Sequence, residues 1–388
     1  MKHGKPVPTQ AYAGLVLQVD STNSHKAIPG SICHNVDLIL TSILHGKGQL
    51  TRSTSIRLSC LIPNRLMLHN PVPTNNWFKI CVAIQDSAVE PNGAPGGTKM
   101  EQSMNVMTHS VVETAVGGIP VTVVRKSNST AQHHAVLFLL HGRKEPLKRY
   151  IEHARVLVTA ASTNTGTTSD DGKTLELVVV LFEQRNHGSR LVNAIGNDTW
   201  ITGNPSHATD MWSIQYGTSK DVSFLIDVLQ MHLPYLNICR WGMAGVSLGG
   251  HSTLLAVVHE PRLDVAIAII GCADYAAMIL PRAVTSGLPI PPISYDHIPQ
   301  SLLDTLKRLD PINNIKNLGH QKLLILSGGL DTMVPASANA VFVKLAREHY
   351  SQQGNQTYFD ERIDPVAEHS FSPWMMTQTQ TWIQQWLL

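Results

Sequence analysis

Five short runs of almost uninterrupted apolar residues limit what this chain can fold into: AVLFLL (135–140), LELVVVLF (175–182), WGMAGV (241–246), DVAIAII (264–270) and KLLILS (322–327). Runs of this kind suit strands buried on both faces of a parallel sheet. Helical patterns lie between them. In DVSFLIDVLQMHL (221–233), Val222, Leu225, Ile226 and Leu229 fall on one face, and Ser252 to His259 and Ala336 to Tyr350 also read as helices. Strand alternating with helix predicts an α/β fold with a doubly wound, mostly parallel sheet. Ahead of it, HSVVETAV and IPVTVV flank Gly117-Gly118, the signature of a hairpin closed by a tight primed turn.

The pattern begins near residue 109, so the 388 residues divide into an N-terminal extension (1–104) and a folded domain (105–388). In the extension, Pro, Ser, Asn and Thr are frequent and periodicity is poor, which predicts a loosely ordered segment. VEPNGAPGGTKMEQS (89–103) reads as a linker, and VDLILTSIL (36–44) fits a strand or a helix equally well. Within the domain, residues 273–312 break the alternation. Six prolines surround a short helical piece, SLLDTLKRL (301–309), as expected of a small lid inserted between two strands.

Charge and cysteine content narrow the function classes. A net charge of +2 is too small to make nucleic acid the main partner. Five scattered cysteines without a CxxC pair favour free thiols in a reducing compartment. No uninterrupted apolar stretch reaches membrane-spanning length, and the first ten residues lack the apolar block of a signal peptide. Eight Lys/Arg against two acids in residues 1–85 would suit a mitochondrial leader, but prolines interrupt that region, so a cytoplasmic protein is the expectation.

The chemistry centres on GVSLGG (245–250), which joins a strand-like run to a helix-like one. A serine on such a turn has its hydroxyl pushed outward, and the residues two before and two after it must be small. Gly245 and Gly249 meet that need, so Ser247 is the candidate nucleophile. A hydroxyl needs a base and a group to orient that base. His369 lies in the loop between the last strand, TYFDERID (357–364), and an amphipathic terminal helix; it is the candidate base, with His251 as its rival. Asp331, after KLLILSGGL, is the candidate orienting acid, and Asp274 is the alternative one strand earlier. The backbone N–H groups of Leu248 and Arg143 are the candidate oxyanion donors. The first follows the nucleophile and the second follows the strand that ends at His141-Gly142.

HG (141–142), GVSLGG (245–250), GGLDTMVP (328–335) and EHSF (368–371), in this order, resemble the α/β-hydrolase superfamily over residues 109–388. FEQRNHGSR (182–190) resembles the dienelactone-hydrolase and prolyl-oligopeptidase-like serine esterases, with Glu183 where those commonly have Asp. The resemblance implies that Arg185 and His187 brace the loop rather than react. It also implies a serine hydrolase acting on a small-molecule carboxylic ester or thioester through an acyl-enzyme, with no metal or organic cofactor. Nothing resembles the β-propeller of true prolyl oligopeptidases, which disfavours large peptides as substrates. An acyltransferase using the same triad and a non-catalytic binding protein on the same fold are the alternatives. The oligomeric state is not legible.

Overall fold

The computed structural model describes residues 108–162, 172–288 and 297–388, and the backbone of 31–40 and 54–63. The chain divides into two compact units, Met1–Lys99 and Met100–Leu388. In the first, β1 (Ser31–Leu40) and β2 (Thr54–Pro63) pair antiparallel, from Ser31 opposite Pro63 to Leu40 opposite Thr54. The ambiguous run at 36–44 thus starts inside a strand. The linker at 89–103 and the loose order expected elsewhere in 1–104 lie outside the described residues.

The second unit is built on one eight-stranded sheet. In chain order its elements are β3 (His109–Val116), β4 (Ile119–Lys126), β5 (His133–Leu140), α1 (Leu147–Ser162), β6 (Leu175–Phe182), α2 (His207–His232), β7 (Ile238–Val246), α3 (Leu248–His259) and β8 (Val265–Ile269). They continue with α4 (Tyr275–Thr285), α5 (Gln300–Leu309), β9 (Lys322–Gly328), α6 (Ala340–Gln352), β10 (Phe359–Asp364) and α7 (Pro373–Trp386). The strand order is β10-β9-β8-β7-β5-β6-β4-β3. Strands β5 to β10 run parallel, and the β3–β4 hairpin adds antiparallel to β6. Gly117 and Gly118, at φ +55° and +83°, make the turn of that hairpin. Both residues need the left-handed region that glycine enters without strain.

Each apolar strand alternates its side chains between two helical layers. Leu137, Leu139, Val179 and Leu181 pack with α1 and α7. Val136, Phe138, Val178 and Val180 pack against α2 on the opposite face. On that same face Ala266, Ala268, Leu323 and Ile325 meet α3 and α6. Burying each such Val, Leu or Phe contributes about 1.5–3 kcal/mol, which makes the sheet the source of the unit's stability. The carboxyl ends of the parallel strands are the edge where doubly wound sheets carry their sites.

Two helices differ from the sequence expectation. α2 begins at His207 rather than near 221, and α4 occupies part of the proline-rich 273–312 segment despite Pro281 inside it. The two features have one cause. Ala208, Met211, Trp212 and Ile214 of the early α2 are buried against Tyr275, Met278 and Ile279 of α4 and Leu302 and Leu306 of α5. Tertiary packing thus outweighs local propensity in both helices. Residues 289–296, within the expected lid, lie outside the described residues.

Candidate active site

Ser247 sits between β7 and α3 with φ +52° and ψ −109°. A non-glycine residue held there costs on the order of 1–3 kcal/mol, so its surroundings must enforce it. Close backbone approach does so. A Cβ at Gly245 would lie 2.2 Å from the Gly249 carbonyl oxygen, and one at Gly249 would lie 2.7 Å from that of Leu140. The Ser247 N–H donates to Ile269 O at 2.8 Å, tying the turn to β8.

Two loops bring partners to that serine. His369, between β10 and α7, places Nε2 2.8 Å from Ser247 Oγ and Nδ1 2.7 Å from Asp331 Oδ2. Asp331, in the loop after β9, is 4% exposed, and its Oδ1 accepts the N–H groups of Met333 and Val334 at 2.8 and 2.9 Å. Burial pushes the Asp331 carboxyl upward. The His369 hydrogen bond, with those two amides, outweighs burial and holds it below the ordinary carboxylate value. The structure therefore joins Ser247, His369 and Asp331 in one hydrogen-bonded line.

The alternatives lie elsewhere. His251, on α3, is buried, and its Nδ1 accepts the Cys272 N–H at 2.9 Å. Asp274 caps α4, accepting the Ala277 N–H at 2.9 Å.

The turn after β5 supplies the remaining groups. Gly142 N–H is taken, by Tyr150 Oη at 3.0 Å and by Glu145 Oε2 at 3.2 Å. Tyr150 in turn donates to Glu145. His141 is fully buried; its Nδ1–H donates to Gly142 O at 2.7 Å and its Nε2 accepts the Gln184 N–H at 3.1 Å. This brace leaves Arg143 next to the serine. Arg143, Ser247, Met333, His369 and Phe371 line one cavity of about 220 Å³. Leu248, the first residue of α3, puts its amide at a helix N-terminus, where the dipole favours negative charge. A larger surface cavity, about 580 Å³ between α6 and β10, touches none of these residues.

The model of the prolyl oligopeptidase family matches residues 213–387. Putative esterase YitV of Bacillus subtilis (strain 168) is 24% identical over 214 residues, covering 54% of this chain and 78% of that protein. Among solved structures, TT1662 from Thermus thermophilus superposes with a TM-score of 0.53 at 18% identity, over 72% of this chain and 99% of that one. The chain has the α/β-hydrolase fold.

In this structure, Arg185 and His187 stand in the loop after β6. The Arg185 guanidinium grips Asp221 of α2 through Nε and Nη2, the latter at 2.8 Å. Arg190 reaches the same carboxylate at 2.8 Å and donates to Glu183 O at 2.9 Å. His187 Nδ1–H donates to Arg185 O at 2.9 Å, and its ring lies edge-on to His141, 5.3 Å away. Neither residue contacts Ser247 or His369 by hydrogen bond. Asp221, Arg190, Tyr150 and Glu145 are the supports that sequence reasoning passed over. Pro146, directly before α1, marks the start of the helix that carries Tyr150.

Proposed function

We propose that this hydrolase cleaves a carboxylic ester or thioester through an acyl-enzyme. The observation that carries the reading is the unbroken line from Ser247 Oγ through His369 to buried Asp331. Nε2 of His369 takes the hydroxyl proton as Oγ bonds to the substrate carbonyl carbon. Charge then gathers on the carbonyl oxygen, where the Leu248 and Arg143 N–H groups can receive it. Losing one such donor costs about 3–4 kcal/mol of transition-state stabilisation. Asp331 keeps the proton on Nδ1 and stabilises the imidazolium. The leaving alcohol or thiol departs with the Nε2 proton, and water, deprotonated by the same nitrogen, releases the acid and restores Ser247.

The expected outcome of Ser247→Ala is loss of both short-chain ester hydrolysis and labelling by a fluorophosphonate probe. Undiminished hydrolysis by the folded variant would exclude Ser247 as nucleophile.

A further inference from the structure

Arginines in this unit generally have acids. Arg185 and Arg190 share Asp221, Arg262 pairs with Glu260 and Asp227, Arg149 with Glu145, Arg347 with Glu361 and Arg362 with Asp360. Arg143, which lines the Ser247 cavity, and Arg282, which lines the neighbouring one, show no such pair. Arg143 Nη1 donates only to a backbone carbonyl, Asn197 O, at 3.4 Å. The acid nearby, Asp198, is taken by Lys144. Arg282, on α4, donates from Nη2 to Met333 O at 2.6 Å. Asp331 does not pair with it, because His369, Met333 N–H and Val334 N–H occupy that carboxylate. Among the described residues neither cation has an ion-pair partner.

Both side chains are half-buried, and both border open space. Arg143 lines the cavity of about 220 Å³ that holds Ser247 and His369. Arg282 lines a second cavity of about 340 Å³, and Met333 belongs to both. Burial and then the charge of Arg282 hold the Arg143 guanidinium below its usual value, while burial acts on Arg282. His207 records the same field. Its Nδ1–H donates to Asp198 O at 2.7 Å, its Nε2 is buried without a partner, and burial followed by the two arginines lowers its basicity. Asp198 and Asp331 offset the burial of Arg143 and Arg282 in part without pairing with either arginine, and half-buried cations that lack an ion-pair partner are costly unless an anion completes them. A guanidinium fork matches carboxylate or phosphate oxygens, which can accept two N–H bonds at once.

We infer that Arg143 and Arg282 form an anion-binding subsite that spans the Ser247 cavity and the neighbouring one across Met333, and that the ester or thioester this hydrolase cleaves carries a carboxylate or phosphate. The inference rests on the serine-hydrolase reading and narrows its substrate class. Four esters test it: neutral ethyl butyrate, monoethyl succinate with a carboxylate on the acyl side, carboxymethyl butyrate with one on the alcohol side, and 2-phosphoethyl butyrate. In the wild type, kcat/KM for at least one anionic ester exceeds that for ethyl butyrate by about tenfold or more. The identity of that ester tells carboxylate from phosphate. Arg282→Gln lowers the anionic-to-neutral ratio by about tenfold, and Arg282→Lys restores part of it. Anionic esters no faster than ethyl butyrate, or an unchanged ratio in Arg282→Gln, overturn the inference.

Fluorophosphonate labelling of Ser247 runs alongside. Without labelling or turnover in the wild type, the serine-hydrolase reading fails, and the subsite with it. With labelling but no turnover of any panel ester, slowing of the labelling by succinate or inorganic phosphate, but not by butyramide, supports the subsite. Equal rates throughout overturn it.

Discussion

At the scale of single residues, Asp331 shows how much of a catalytic group's work is done by its surroundings. Its carboxylate holds His369 through one oxygen, and its other oxygen is fixed by two backbone amides. Asp331→Asn would keep the shape and the amide bonds but present an N–H or a weaker acceptor to Nδ1, favouring the wrong tautomer. The expected result is a fall in kcat of roughly 10⁴-fold with KM within about twofold, read from steady-state ester hydrolysis. A loss below about tenfold would mean that His369 does not depend on Asp331 for its orientation. The three residues of this line were legible in the sequence because each lies in the turn or loop that follows a strand and they come in a fixed chain order. Tyr150, Asp221 and Arg282 were not. Asp221 and Arg282 act through contacts with distant segments, such as Arg282 reaching Met333 O, which no local pattern encodes, and Tyr150 acts on the backbone of Gly142, close by in the chain, which no residue type marks.

At the scale of elements, the decisive contact is the crossing of β7 and α3. Gly245 and Gly249 let the two backbones touch, and the hypothetical Cβ of Gly245 would strike backbone rather than a movable side chain. Gly245→Ala should therefore destabilise the unit by about 3 kcal/mol or more and remove activity, because the clash falls where Ser247 is held in its strained conformation. Gly118→Ala is the comparison. That glycine has φ +83° and nothing within 4 Å, so only the conformational cost of about 1 kcal/mol applies. Urea titration of the two variants should separate them; equal losses would contradict the steric account of the elbow. The strands were legible to within a few residues because burial on both faces writes itself as unbroken apolar runs. α1 was not. Its buried stripe, Tyr150, Ala154, Leu157, Val158 and Ala161, is diluted by alanines and interrupted by charges. α4 was hidden by Pro281, whose missing N–H argues against a helix until the packing against α2 is seen.

At the scale of the whole molecule, buried titratable groups tie stability to pH in opposing directions. His251 is buried; desolvation is the largest influence, and Arg282 and His369 add to it, lowering the ring's pKa from 6.5 to about 4. Its folded-state value is depressed, so its contribution is fully present above pH 6.5 and is lost as pH falls toward 4, while only the unfolded chain takes up the proton. Asp310 does the reverse. Buried where α5 ends, it accepts the Tyr275 N–H at 2.7 Å, yet desolvation prevails and raises it from 3.8 to about 8. Its contribution is fully present below pH 3.8 and is lost as pH rises through 8. Two variants separate these terms. In His251→Asn the amide oxygen can still accept the Cys272 N–H without titrating. Wild type should then lose stability relative to that variant by up to about 1.4 kcal/mol per pH unit between 6.5 and 4. In Asp310→Asn the sign inverts, and wild type falls behind the variant as pH rises from 4 to 8. Urea unfolding followed by tryptophan fluorescence across pH 4–8 reads both slopes. A His251→Asn curve parallel to wild type below pH 6.5 would show that this ring is not held neutral by the fold. A parallel Asp310→Asn curve would show the same for the buried carboxyl.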